Sequence, residues 1–199
     1  MGGSRLKGNK VKHNDRRSKT YSYRLSSKNQ LERPGVGGDR YQIHQKMVTI
    51  GDDFWIENDR AQKVFKVDGK ALRVRQTLIF EDAHGSEPAR IQERMLRVKD
   101  SMEIKGLDGK QLAMVKKALI TPVRERWVVK IKCGLDLEVK GNIFDHEHTI
   151  GEARDMVAEI SKKWSRLRDS YGVAVDPEQQ DVIILAVAVC IDEMAHSGA

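Results

Sequence analysis

Two kinds of side chain in this 199-residue sequence could carry chemistry: paired basic residues, and a short cluster of histidines and acids. The basic pairs have i, i+2 spacing and recur along the chain as RVR, RVK, RER and RLR. Residues i and i+2 of a β-strand point to the same face, and guanidinium and ammonium groups suit phosphate oxygens. The pattern therefore predicts a basic band that binds anionic phospholipid or another phosphate group, formed by Arg73, Arg75, Arg97, Lys99, Arg124, Arg126, Arg166 and Arg168.

The net charge of +7 is carried by the first 40 residues. Residues 1–40 hold eleven basic and three acidic side chains, a balance of +8, whereas the balance of residues 41–199 is −1. The first segment has few large aliphatic residues and no hydrophobic periodicity, so we expect a disordered basic tail. Its charge suits RNA, DNA or anionic lipid, and a solvated extension without a partner is the alternative interpretation. In the remainder, acidic neighbours could neutralise the basic band and leave an ordinary solvated surface.

The second cluster is Asp145, His146, Glu147 and His148, which has metal-ligand chemistry. In a strand, the two histidines would share one face and the two acids the other. We find no third histidine or cysteine at a recognised spacing, and two imidazoles alone make a weak metal site. The sequence therefore predicts no metal centre and no cofactor, with His146 and His148 as weak candidates for ligands.

Sequence signatures of enzymes are missing. The chain has no GxSxG, HExxH or Walker-type motif, and no GxGxxG between a strand and a helix. The glycine-rich GVGG at 35–38 follows no strand and opens no helix, so it is interpreted as a linker. We nominate no catalytic residue and expect a protein that binds rather than catalyses.

A repeat of apolar pairs indicates how these side chains are positioned. The first members of successive pairs are 24, 24, 24 and 21 residues apart, and each pair follows another short strand pattern. The repeating unit is thus a two-stranded hairpin. With an opening strand near residues 41–50 and a closing one near 171–175, about twelve strands result, and closure into an antiparallel barrel removes exposed edges. The pairs are Phe65/Val67, Ala89/Ile91, Ala113/Val115, Leu137/Val139 and Ala158/Ile160.

The stretch VIILAVAVCI, residues 182–191, contains no polar side chain. Ten helical residues span about 15 Å, half of a bilayer's hydrocarbon core, and acidic residues flank the stretch on both sides. A helix that is apolar all round is surrounded by protein. Capping signals at 176–179 predict a helix from Pro177 to about His196. Because a twelve-stranded barrel is too wide for side chains alone to fill, we expect this helix inside it.

The two cysteines, Cys133 and Cys190, do not form a disulfide framework. Cys190 lies within the apolar helix and is expected to pack as a small hydrophobic residue. A reducing, cytoplasmic setting fits this cysteine usage, with peripheral association if the basic band contacts a membrane.

Four strings of the sequence are distinctive: GDDFWIEN, SKKW at 161–164, DSYGV at 169–173 and the terminal helix ending in IDEMAH. Together they resemble the LURP-one-related family, which belongs with the tubby C-terminal domains and the phospholipid scramblases. The resemblance covers about residues 41–197, which we take as the barrel domain, and leaves residues 1–40 outside. It implies a mainly β fold, a twelve-stranded barrel enclosing a hydrophobic C-terminal helix.

The same resemblance implies little about activity, since similar members mostly have no assigned reaction. Tubby domains bind phosphoinositides through basic surface residues, and scramblases are linked to lipid movement and calcium. Asp176, Glu178 and Asp181 occupy the position where scramblase-like proteins are thought to hold calcium. Here the twelve-residue loop with its glycine and terminal glutamate is missing, so helix capping explains these acids better.

The functional hypotheses are ranked accordingly. The first is a non-enzymatic binding or scaffold module that contacts anionic phospholipid headgroups at a membrane surface. The alternative is a nucleic-acid-associated protein acting through its basic tail, residues 1–40. An unrecognised enzyme ranks third.

Overall fold

The computed structural model describes residues 38–44, 53–69, 77–94, 101–121, 124–132, 134, 136–152, 155–165 and 169–196. These residues form twelve strands, a short 3-10 helix (Lys162–Trp164) and one α-helix. The strands are β1 (Asp39–His44), β2 (Phe54–Asn58), β3 (Lys63–Gly69), β4 (Thr77–Asp82), β5 (Ala89–Glu93), β6 (Ser101–Lys105), β7 (Gln111–Thr121), β8 (Arg124–Ile131), β9 (Asp136–Asn142), β10 (Glu147–Glu152), β11 (Asp155–Ser161) and β12 (Ser170–Val175). The helix is α1 (Asp181–His196).

Every strand pairs antiparallel with its neighbours in the sequence, and the first strand pairs with the last. In that closing pair, Tyr41 of β1 lies opposite Val173 of β12. The sheet is therefore a closed barrel, as predicted, and its closure satisfies the backbone groups that an open edge would expose. β1 begins at Asp39, two residues before the predicted domain boundary, and residues 1–37 lie outside the described residues.

The 24-residue repeat corresponds to one hairpin of the barrel. The predicted apolar pairs lie in β3, β5, β7, β9 and β11, the second strands of successive hairpins. Their side chains face the core: Val67, Ala89, Ile91, Ala113, Val115, Leu137, Ala158 and Ile160 are buried, and Phe65 and Val139 pack against them. Alternation along each strand thus supplies an apolar inner wall.

The turns repeat with the same period. Asn58 and Asp82, 24 residues apart, each accept two backbone N–H bonds through Oδ1 and so fold the chain over. The residue three positions after each has a positive φ, 57° at Ala61 and 75° at Gly85, and Gly109 follows at 72°. The repeat is consequently one of turn geometry as well as of apolar pairs.

Helix α1 fills the lumen, as predicted. Ile183 to Ile191 are all buried, and the helix contacts β5, β6, β7 and β12. The predicted start at Pro177 is wrong, because the helix begins at Asp181. The capping signals form a turn instead: Asp176 Oδ1 accepts from Glu178 N at 2.9 Å, and Asp176 O accepts from Gln179 N at 2.9 Å. This turn carries the chain from β12 in the wall to the axis of the barrel.

The direction of α1 gives the barrel two distinct ends. The helix starts at the end that carries the turns at 59–62, 83–88 and 106–110. It finishes at the opposite end, which carries the β9–β10 turn at 143–146 and the connection from β11 to β12. We call these the start end and the finish end of the barrel.

Two further expectations concern the cysteines and the membrane. Cys190 is buried in α1, is free of any disulfide, and burial raises the pKa of its thiol well above the ordinary value. Cys133 lies outside the described residues. None of the described residues forms a helix with the length and apolar character needed to cross a bilayer.

Candidate functional site

A group of polar side chains closes the finish end of the barrel. His146 comes from the β9–β10 turn, and Asp192 and His196 come from the last turns of α1. Because Asp192 and His196 are four residues apart in a helix, their side chains lie on the same face. The strand topology brings that face against His146, 46 residues away in sequence from Asp192.

The β9–β10 turn holds His146 in an unusual backbone conformation. His146 has a φ of 53°, and its N–H donates to Ile143 O at 3.1 Å, which closes the turn. Gly141, with a φ of 127°, precedes the turn and passes close to the returning strand. A Cβ at position 141 would lie 2.7 Å from His148 Cα and would also collide with Glu147 O. Glycine at 141 therefore permits the close approach that directs His146 inward.

Asp192 links the two imidazoles. Its Oδ1 lies 2.7 Å from His146 Nε2 and 3.1 Å from His196 Nδ1. His196 Nδ1 also lies 2.9 Å from the Asp192 carbonyl oxygen. The rings of His146 and His196 are almost parallel, at 8° and 5.4 Å between centroids, and His146 also stacks on Tyr171 at 4.3 Å. The side chains of His146, His196, Tyr171 and Asp192 therefore form one compact cluster with fixed ring orientations.

The electrostatics follow from burial and from the shared carboxylate. Burial raises the pKa of the Asp192 carboxyl, but the bonds from His146 and His196 outweigh it, so the net pKa is below the ordinary value. The bond to Asp192 raises the pKa of His196 to about 9. For His148, burial and then the nearby His146 lower the pKa to about 4, so its imidazole is neutral at physiological pH.

Several buried polar atoms at this end lack a hydrogen-bond partner among the described residues. They are His146 Nδ1, both ring nitrogens of His148, and the Tyr171 hydroxyl. His146 and His148 are each 5% exposed and Tyr171 is 1% exposed. An unpaired buried polar group costs about 1–3 kcal/mol, so such a concentration is unusual in a core and calls for partners such as water or an ion.

Comparisons with known proteins identify the family. The family model described as LURP-one-related matches residues 40–192. The chain belongs to the LURP-one-related family. It is similar to the uncharacterized protein YxjI of Bacillus subtilis (strain 168), with 26% identity over 155 residues, 78% of this chain and 93% of YxjI. It is also similar to the X-ray structure of the protein AT5G01750 from Arabidopsis thaliana, with a TM-score of 0.59 and 19% identity over 79% of this chain and 91% of that one.

The sequence predicted only part of the polar cluster of this LURP-one-related barrel. It singled out His146 and His148, but placed both in one strand with no third histidine available. In the structure, His146 lies in the turn and His148 lies in β10, and the third histidine is His196. Asp192 and His196 were missed, although their D-x-x-x-H spacing at the end of a helix was the available signal.

Only two of the eight residues of the predicted basic band are among the residues that the structure describes. Arg73, Arg75, Arg97, Lys99, Arg166 and Arg168 lie outside the described residues. Arg124 and Arg126 lie in β8, where only the second side chain is described. Arg126 is exposed and forms an ion pair with Glu138 of β9, a bond that lowers the pKa of Glu138. Whether the eight residues act together stays a prediction.

The acids at the start of the helix have structural contacts. Asp176 organises the turn before α1. The Asp181 carboxylate accepts a hydrogen bond from Tyr41 Oη at 2.7 Å and so ties the first turn of α1 to β1. Asp176 therefore stabilises a turn instead of capping the helix as predicted, and Asp181 anchors the first turn of α1.

Proposed function

We propose that this LURP-one-related chain is a non-enzymatic binding module that engages anionic phospholipid headgroups, with the finish end of the barrel towards the membrane. The topology supports this orientation. β3, β5, β7 and β11 end at the finish end, and β4, β6, β8 and β12 begin there. In the sequence, six of the eight predicted basic residues fall between these pairs of strands, outside the described residues, and Arg124 is the first residue of β8.

The filled lumen directs binding to the outside of the barrel. Ile183 to Ile191 occupy the interior that other barrels use for a ligand. At the finish end, Phe144 is 56% exposed, and Lys162 and Lys163 of the 3-10 helix are exposed beside it in the same layer of connections. Exposed aromatic and basic residues together are typical of peripheral membrane contacts.

Several basic residues are neutralised by neighbouring acids, including Lys163 at the finish end, which pairs with Glu147 at 3.4 Å, and the following residues of the outer wall. Lys66 pairs with Asp53 at 2.6 Å, and Lys130 pairs with Asp136 at 2.7 Å. Arg126 is paired with Glu138 as described above. Neutralised cations attract phosphate weakly, so the observation that carries the proposal is the exposure of Phe144 and Lys162 at the finish end, where Lys162 N donates to His146 O of the β9–β10 turn.

The test is co-sedimentation with vesicles of phosphatidylcholine, with and without phosphatidylserine, and with RNA as a parallel ligand. Each basic residue near an anionic surface contributes about 1 kcal/mol, so one substitution should weaken binding roughly fivefold. Replacing Arg73, Arg75, Arg97 and Lys99 by Ser should weaken it by roughly several hundred-fold and remove most of its salt dependence. The matched control is K63S/K110S/K130S/K132S, four lysines at the start end, which should bind as the wild type does.

Deletion of residues 1–37 distinguishes lipid binding by the barrel from nucleic-acid binding by the tail. Vesicle binding should persist in the shortened chain because β1, which begins at Asp39, is kept intact. If vesicle binding disappears with the tail, or if the quadruple variant binds vesicles unchanged, the proposal is wrong. RNA binding that exceeds vesicle binding and disappears with the tail would support the nucleic-acid alternative.

A further inference from the structure

We propose that His146, Asp192 and His196 form a binding site for a divalent transition-metal ion at the finish end of the barrel. One ligand atom from each of the three residues lies within 4.8 Å of those of the other two. The proposal is independent of phospholipid binding, and it replaces the expectation, from sequence, of a chain without metal.

The donor set selects the class of ion. Two imidazoles and one carboxylate are typical ligands of Zn²⁺ and of related first-row ions. Ca²⁺ and Mg²⁺ prefer oxygen ligands, whereas two of these three donors are imidazole nitrogens. The site therefore suits a metal of the zinc, iron or cobalt class rather than the calcium linked to scramblase-like proteins.

The distances allow an ion to enter with little rearrangement. Metal–ligand bonds of about 2.0–2.1 Å at tetrahedral angles place donor atoms about 3.3 Å apart. Asp192 Oδ1 is already 2.7 Å from His146 Nε2 and 3.1 Å from His196 Nδ1. These two distances are within about 0.6 Å of that spacing, the His146–His196 donor pair lies within 4.8 Å, and rotation of the partly exposed His196 ring would bring its nitrogen to the ion.

The three residues are held by rigid surroundings and remain accessible. His146 is fixed by its turn and by stacking on Tyr171, and Asp192 belongs to a helix enclosed by the barrel. The His196 side chain is 41% exposed, so an ion can reach the site from solvent. Three protein ligands leave one position of a tetrahedral ion open.

His148 supplies a second, independent observation. It faces inward from β10, opposite Ile160 and Gly141, and it interacts electrostatically with His146 and Asp192. Both of its ring nitrogens are buried and lack a partner among the described residues. A buried imidazole with two unpaired nitrogens calls for a polar partner, and a metal site would supply one through a water held by the ion.

The experiment uses the full chain, stripped with a chelator and dialysed. Titration with ZnCl₂ in a calorimeter should show one tight equivalent, and CoCl₂ should produce the visible absorption of a four-coordinate ion. Loss of a direct ligand should cost at least the roughly 10–100-fold in affinity that loss of a supporting residue costs. Asp192→Asn and His196→Gln should both show this loss, and zinc should raise the Tm of the wild type but not of either variant.

The control is His84→Gln, which removes an exposed histidine from the β4–β5 turn at the start end and should bind zinc as the wild type does. If Asp192→Asn fails to fold, His196→Gln decides the question, because that side chain is partly exposed and lies at the last residue of the helix. The proposal is overturned if the wild type binds no stoichiometric zinc, or if both ligand variants bind zinc with wild-type affinity.

Discussion

The two ends of α1 meet the barrel wall through different chemistry. At the start end, the Asp181 carboxylate accepts a bond from Tyr41, which anchors the first turn to β1. At the finish end, Asp192 contacts two imidazoles, and neighbouring ring nitrogens lack partners among the described residues. Anchoring a helix needs no more than the first arrangement. The additional ring nitrogens at the finish end are therefore evidence for a binding site rather than for a second anchor.

The largest expected loss of stability comes from a substitution in the middle of α1, between these two ends. Ala186 is fully buried in the middle of α1, so Ala186→Asp places an unpaired charge in an apolar lumen. We expect the loss of several kcal/mol of stability, enough to prevent folding of a typical domain. Ala83→Asp, in the exposed β4–β5 turn, is the control and should change stability by about 0.5 kcal/mol or less. Circular dichroism and urea unfolding measure both, and a natively folded Ala186→Asp variant would disprove the enclosed helix.

Substitution of two glycines with positive φ, one at each end, allows the turns at the two ends to be compared. Gly141→Ala strains a φ of 127° and collides with the backbone at residues 147 and 148, so we expect a loss of about 3 kcal/mol or more. Gly109→Ala has the same kind of strain at φ 72° but nothing within 4 Å of the new Cβ, so we expect about 1 kcal/mol. Urea unfolding tests the difference. Equal losses would mean that the backbone at Gly141 does not constrain the β9–β10 turn.

The two aspartates of α1 give a matched pair of substitutions. In metal-free protein, Asp192→Asn weakens two charge-assisted bonds to histidines and should cost about 2–3 kcal/mol. Asp181→Asn keeps an oxygen that can accept from Tyr41 and removes a partly buried charge, so we expect a cost below about 1 kcal/mol. Chemical denaturation at neutral pH compares them. A larger loss of stability from Asp181→Asn than from Asp192→Asn would contradict this comparison.

The smallest expected effect is the pH dependence of stability that Asp181 causes at the start end. Burial raises the pKa of the Asp181 carboxyl, although the bond from Tyr41 opposes this and Asp39 adds to it. The folded state then holds the proton to a higher pH than the unfolded state does, so stability declines as pH rises from the unfolded towards the folded pKa. Wild type should lose stability relative to Asp181→Asn over this acidic range. Urea unfolding at several pH values measures the difference, and a difference that does not vary with pH, or that changes in the opposite direction, would contradict it.

The fold was predictable because its determinants are local and repeated. Each hairpin carries its own apolar pair and turn, so the 24-residue period of pairs such as Phe65/Val67 and Ala89/Ile91 revealed the barrel strands. The apolar stretch 182–191 indicated a buried helix without any tertiary information. The start of the helix was mispredicted because Asp176, Pro177 and Gln179 suit a turn as well as a cap. Tertiary geometry decides between them, since the chain must first cross from the wall to the axis.

The polar cluster was less predictable because its members are distant in sequence. His146 and His148 are close to each other in the chain, but Asp192 and His196, which group with His146, follow about 45–50 residues later. Strand-face arguments cannot bring a turn residue together with a helix end, because that contact depends on the barrel closing around α1. The spacing of Asp192 and His196 indicated only that they share a helical face.

The most direct test of a metal site at one end and an anchor at the other is a crystal structure of the zinc-soaked protein, with anomalous data collected at the zinc edge. The account predicts one strong peak at the finish end, about 2.0–2.2 Å from donor atoms of His146, Asp192 and His196, and no zinc bound by Asp181. A structure without a peak there, in which Asp192 still contacts both histidines directly at saturating zinc, would contradict the account.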